Sequence, residues 1–266
     1  MVFKSPFSIK KFILPVLVFS ISVYFGCGAN IFSTDQEVNM GSEFSDEIEK
    51  QVKIYDDESW QNYINEISGK IVSVCDRQDI KYTFKIVDDS STVNAFALPG
   101  GFIYLYTGLL LKADNEAEIA GVIAHEVGHV VGKHGMKRLT SIYGYQILFS
   151  LALGSNPGQI QKMVADVIVG AGMLKYGRDN EFEADGFGIK YAYAAGYDPK
   201  AFVTFFEKLG QIHTEEPSSL ERLLSTHPLP DDRITNAKTL IENLPGKGLV
   251  YNTEKFRTMK SRLYKK

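Results

Sequence analysis

The chain has 266 residues, 44% of them hydrophobic and 23% charged, a composition of a folded globular protein long enough for one large domain or two small ones. Its net charge of −3 gives no general attraction for nucleic acid, and the basic end "KFRTMKSRLYKK" reads as a solvated helix end. Its two cysteines, Cys27 and Cys75, lack the spacing of a thiolate metal site.

In chain order, Lys4, Lys10 and Lys11 precede the apolar run "FILPVLVFSISVYFG", which ends at Gly26 and is followed by Cys27. A basic start, a short apolar stretch and a small residue before a cysteine predict a lipoprotein-type signal over residues 1–26. Cys27 would then be the acylated first residue and 27–33 a tether. Tyr24 and Phe25 depart from the usual residues before such a cysteine. Cys75 is then a lone thiol, with a Cys27–Cys75 disulfide as the alternative.

From residue 34 to 266 a single domain is expected. Apolar residues at helical spacing predict helices over 35–54 and 57–75. "IKYTFKIVDD" (80–89) alternates and is rich in β-branched and aromatic residues, so it predicts a strand. "VNAFALPGGFIYLYTGLL" (93–110) predicts two strands around a turn at Pro99–Gly101. Beyond Leu110 the pattern is helical throughout. Helices, then a small sheet, then helices define an α+β fold. Within 142–174 the apolar runs "IYGYQILFSLAL" and "MVADVIVGAGML" are each too short to span a bilayer. They predict a buried helical hairpin, with a mobile lid or lipid-contacting hairpin as the alternative.

"AGVIAHEVGHVVGKHG" (120–135) holds three of the five histidines. His125 and His129 are four apart, so on a helix both rings leave one face. Glu126 between them completes HExxH, in which two histidines bind zinc and the glutamate acts as general base. Gly128 weakens a helix relative to alanine, which suggests close approach of another segment. A catalytic zinc needs a third protein ligand. His134 is one residue short of the HExxHxxGxxH position, despite Gly132, and residue 135 is glycine. One residue on a helix swings a side chain by about 100°. "RDNEFEADGFG" (178–188) offers the better ligand. Glu181 and Asp185 are four apart, so Glu181 can complete a His₂Glu site while Asp185 accepts the free N–H of a ligand histidine. Glu183 faces the other way. His227, in the stiff "STHPLPDDRI" (225–234), is either a loop residue, a donor to an oxyanion, or a plug for the open metal position; Arg233 follows it. His213 has no partner pattern.

"NAFALPGGFIYLYTGLL", "HEVGH", "EFEAD" and "THPLPDDRI", in this order, resemble the HtpX and CAAX-prenyl-protease family of zinc metallopeptidases. Within it the sequence is most similar to bacterial periplasmic lipoproteins and assembly proteases of the LoiP and BepA kind. The resemblance covers about residues 34–262. It implies a mostly helical, zincin-like domain with a small β-sheet and one Zn²⁺ per chain. The zinc would be held by His125, His129 and Glu181, with Glu126 as catalytic base and Asp185 orienting a ligand. It also implies active-site roles for His227 and Arg233, and an edge strand from Asn94 through Ala95, Phe96 and Ala97 to Leu98 that binds extended substrate. The helical repeat of some relatives is not read here. The expected activity is peptide-bond hydrolysis, with unfolded or misassembled envelope proteins as substrates. The expected location is lipid-anchored in the periplasm, the outer membrane favoured. An envelope chaperone with a structural or capped zinc is the alternative.

Overall fold

A computed structural model describes residues 32–152, 176–215, 217–228, 231–246 and 248–263. The expected signal, Cys27 and most of the 142–174 pair lie outside them. The helices are α1 (Thr34–Glu49), α2 (Glu58–Val72), α3 (Thr107–Lys112), α4 (Glu116–Val131), α5 (His134–Ala152), α6 (Arg178–Ala194), α7 (Lys200–Glu215), α8 (Pro217–Thr226), α9 (Asp231–Glu242) and α10 (Glu254–Leu263). The strands are β1 (Thr83–Val87), β2 (Ala95–Ala97) and β3 (Phe102–Tyr106), which makes the fold α+β, as expected. Among the described residues, no helix is long and apolar enough to cross a membrane.

Helix starts follow local chemistry. Ser33 caps α1 in a capping box with Gln36, and Asp57 caps α2 by accepting from the Trp60 N–H. Both helices end short of their expected limits. After α1 the chain turns, and Ile54 bridges to Val87 at the end of β1.

The sheet order is β1-β3-β2, with β1 parallel and β2 antiparallel to β3. Side chains alternate between its faces. Ile103 and Leu105 join Phe84, Ile86, Ala95 and Ala97 over α2 and α4. Tyr104 and Tyr106 join Phe96 and Leu98 against Met40 and Phe44 of α1. The turn between β2 and β3 is a 3₁₀ turn over Pro99–Gly101. Gly100 and Gly101 take φ +75° and +95° there, values that favour glycine. The expected second strand stops early, because Thr107–Lys112 is helical. Gly108 packs against the Thr92 backbone, and the leucines after it favour helix over strand.

α4 runs through the centre, with every residue from Glu116 to Val130 buried. Apart from Glu116, Glu118, His125, Glu126 and His129, its residues are small or apolar, as a helix buried on all sides requires. Asn115 caps it, accepting from the Glu118 N–H at 2.9 Å. Glu116 in its first turn accepts from Tyr63 (2.8 Å), Tyr197 (3.1 Å) and the Thr253 hydroxyl. Ala117 N–H bonds the Tyr251 carbonyl at 3.1 Å. The start of α4 is thus closed by the segment leading into α10. Its far end is tied to α1. The buried Arg77 grips Glu37 through two hydrogen bonds of 2.9 Å and donates to the Val130 carbonyl at 3.0 Å. Cys75 is a free, buried thiol.

Candidate metal centre

α4 and α6 pack against each other at glycines. A Cβ on Gly128 would sit 2.9 Å from the Ala184 carbonyl, and one on Gly188 would sit 3.1 Å from the His125 nitrogen. This is the close approach expected at Gly128. It lets the one-turn pairs His125/His129 and Glu181/Asp185 face each other across the helices.

His125, His129, Glu181 and His227 are all buried and offer ligand atoms within 4.8 Å of one another. His125 Nε2 lies 3.0 Å from His129 Nε2 and 3.4 Å from His227 Nδ1. Glu181 oxygens lie 3.7 Å from His125 Nε2, 3.5 Å from His129 Nε2 and 3.2 Å from His227 Nδ1. A tetrahedral zinc with ligands at about 2.0–2.1 Å has ligand–ligand edges of about 3.3–3.4 Å. The distances given, 3.0 to 3.7 Å, lie near those edges, and imidazole with carboxylate suits zinc chemically.

The residues around this set hold it in place. Asp185 Oδ1 lies 3.1 Å from His125 Nδ1, a bent contact rather than a straight hydrogen bond. Arg233 makes a two-pronged bond to Asp185 at 2.6 and 2.8 Å. Its remaining nitrogen reaches Glu181 Oε2 and the Pro228 carbonyl, both at 2.6 Å. Every guanidinium nitrogen is therefore engaged with the carboxylates or the His227 loop. Arg233 sits in the site, as the resemblance implies, but as a clamp on Glu181 and Asp185. Burial pushes both carboxyl groups up; His227 and Arg233 outweigh it at Glu181, and Arg233 with His125 does so at Asp185, so both end below the usual range.

Glu126 is buried with Oε2 unpartnered, and Oε1 is 3.6 Å from His227 Nε2, itself unpartnered. Burial raises the Glu126 pKa more than the nearby His227 and His125 lower it. A raised carboxyl with a free oxygen is what a general base needs.

The structure brings together every sequence-derived residue of this centre and adds three more. His134 Nδ1 lies 2.8 Å from His129 Nδ1, and His134 Nε2 lies 3.1 Å from Glu183 Oε2. The ring of Tyr176 stacks on His129 with centroids 3.9 Å apart, and its hydroxyl donates to the Ala97 carbonyl at 3.2 Å. His134 carried a visible signal, a third histidine beside HExxH. Tyr176 carried none.

Asn94 to Leu98 lie beside the centre, and β2 is an edge of the sheet. Leu98 N–H and Asn94 C=O bond to β3, so the backbone groups of Ala95 and Ala97 face outward. All five residues are buried, and the Tyr176 hydroxyl takes the Ala97 carbonyl.

The family model described as Peptidase family M48 matches residues 58–241. The beta-barrel assembly-enhancing protease of Yersinia pestis is 31% identical over 215 residues, 77% of this chain and 44% of its own length. The mitochondrial metalloendopeptidase OMA1 of Arabidopsis thaliana is 34% identical over 180 residues, 67% of this chain and 36% of its own. The metalloprotease YcaL of Escherichia coli is 28% identical, covering 57% of this chain and 59% of its own. The match spans less than half the length of the assembly-enhancing proteases and of the plant protein.

Proposed function

Because this chain belongs to peptidase family M48, we propose that it is a zinc-dependent metalloendopeptidase acting on extended segments of unfolded or misassembled cell-envelope proteins. The observation that carries the reading is the buried set of His125, His129 and Glu181 beside an unpartnered Glu126 oxygen. His125, His129 and Glu181 would hold the metal, which when bound supplies Lewis acidity to a carbonyl and a water. Glu126 takes the proton of the attacking water and returns it to the leaving amine. Arg233 keeps Glu181 and Asp185 in place, and Asp185 keeps the His125 proton on Nδ1.

His227 Nδ1 lies 3.4 Å from His125 Nε2 and 3.2 Å from Glu181 Oε1. We read this as a resting arrangement in which His227 plugs the open position and must withdraw before substrate enters. Withdrawn, it is placed to donate to an oxyanion. Tyr176 must likewise leave the Ala97 carbonyl before a peptide can pair with β2. Envelope substrates are suggested by the names of the assembly-enhancing relatives. A lipid on Cys27, anchoring the chain at the periplasmic face of the outer membrane, rests on the sequence alone.

The closed four-residue set also favours a second reading, an assembly factor or chaperone whose zinc stays capped. Casein cleavage and zinc content of the full-length chain in detergent separate the two. For the peptidase, wild type and Glu126→Gln bind zinc equally and only wild type cuts. If neither cuts, His227→Ala should release activity; silence from that variant as well would refute the peptidase reading.

A further inference from the structure

We infer that His134 and Glu183 form a relay that fixes the proton of His129 on Nδ1 and so aims its Nε2 lone pair at the metal position. The inference rests on the zinc reading above and assigns roles to two residues outside its ligand set.

The argument starts at the outer end. An ionised carboxylate can only accept hydrogen bonds. Glu183 Oε2 lies 3.1 Å from His134 Nε2, and Lys137 Nζ lies 3.8 Å from the same oxygen. His134 therefore donates from Nε2. A neutral imidazole carries one N–H, so His134 Nδ1 is an acceptor. Its 2.8 Å neighbour, His129 Nδ1, must then be the donor. His129 is left with a bare Nε2, facing His125 Nε2 at 3.0 Å. Asp185 Oδ1 lies 3.1 Å from His125 Nδ1 on the other side, in a bent contact. Each ligand histidine thus has its own orienting carboxylate, direct for His125 and through a second imidazole for His129.

The backbone is shaped for this relay. α4 ends at Val131, Gly132 is its cap, and Lys133 takes φ +53°, the left-handed region that bulky residues rarely enter. That break starts α5 at His134 and turns its ring back under His129. A Cβ on Gly132 would lie 2.3 Å from His134 Nε2 and 2.7 Å from Cε1. Gly132 has φ −70°, so any residue suits its backbone; the missing side chain makes room for the His134 ring.

Two variants test the relay without removing a metal ligand. Glu183 is 45% exposed, so Glu183→Gln should fold while allowing either end of the amide to face His134. Gly132→Ala wedges the ring away. Zinc affinity of the full-length chain in detergent is measured by competition with a chromogenic chelator. The His129 tautomer of the metal-free chain is read by long-range proton–nitrogen NMR. We expect the proton on Nδ1 in wild type, a tautomer mixture in Glu183→Gln, and zinc bound about 10–100-fold more weakly by both variants. Affinities within twofold of wild type with an unchanged tautomer would overturn the relay. A wild-type chain that takes up no zinc would instead overturn the metal reading on which the relay depends.

Discussion

Replacing Gly128 with alanine should destabilise the protein, although alanine is the better helix former. The new Cβ would lie 2.9 Å from the Ala184 carbonyl oxygen and 3.0 Å from the Phe187 Cβ. Comfortable contacts begin at about 3.5 Å, so α6 must retreat by roughly 0.5 Å. Helix propensity favours alanine by about 1 kcal/mol, whereas overpacking a tight contact costs about 1–3 kcal/mol. The net is about 0–2 kcal/mol of lost stability. Gly69 supplies the reference. It is exposed in α2, and a Cβ there meets nothing within 4 Å. Gly69→Ala should gain the propensity term alone. Subtracting the two variants cancels propensity and leaves the cost of the helix crossing, about 1–3 kcal/mol. For a domain of this size that is a gap in Tm of about 2–12 °C. Thermal melts in excess chelator measure it free of metal stabilisation. A second readout follows from position. α6 carries Glu181, whose carboxylate sits 3.5 Å from His129 Nε2. Gly128→Ala should therefore weaken zinc binding and Gly69→Ala should not. Equal melting of the two variants would refute the reasoning, because the crossing would then have slack.

Two further outcomes are expected. Arg77→Ala strips Glu37 of both guanidinium bonds and leaves it buried with Lys133 at 3.6 Å, so it should cost toward the lower end of about 3–5 kcal/mol; urea denaturation checks this, and Arg77→Met with Glu37→Met should recover most of the loss. Arg233→Lys keeps the charge but cannot span Asp185, Glu181 and the Pro228 carbonyl together, so zinc should bind at least about 10-fold more weakly; chelator competition reads this directly.

The parts legible in the sequence are those set by local periodicity. His125 and His129, then Glu181 and Asp185, are one-turn pairs, and each pair faces the centre because a helix puts it there. The alternation in 80–89 gives the first strand, and the turn signal at Pro99–Gly101 within 93–110 gives the other two. What stayed hidden depended on a break in periodicity. On an extended α4 helix His134 would point away from a ligand position. The left-handed Lys133 ends that helix and returns the ring to His129. Glu183, on the far face of α6 from Glu181, looked irrelevant for the same reason, yet it meets the ring that α5 brings round. The contacts Arg233 makes with Glu181 and Asp185 are not visible in its local sequence. Whether a guanidinium is free to meet substrate depends on which carboxylates already hold it, and the nearer of the two in sequence, Asp185, lies 48 residues away. Tyr176 is beyond local reading altogether, because its partners are His129 and Ala97.

The junction at Glu116 has a temporal consequence. The first turn of α4 is finished by Thr253 and Tyr251, and Thr253 lies 137 residues further along the chain. The candidate metal-binding set spans 102 residues from His125 to His227. During synthesis the histidine helix emerges long before the residues that close its start and before His227. Contacts this distant in sequence form late and slowly. A chain still in transit therefore holds a histidine pair without a finished pocket, and the candidate centre is complete only once Tyr251 and Thr253 have been delivered.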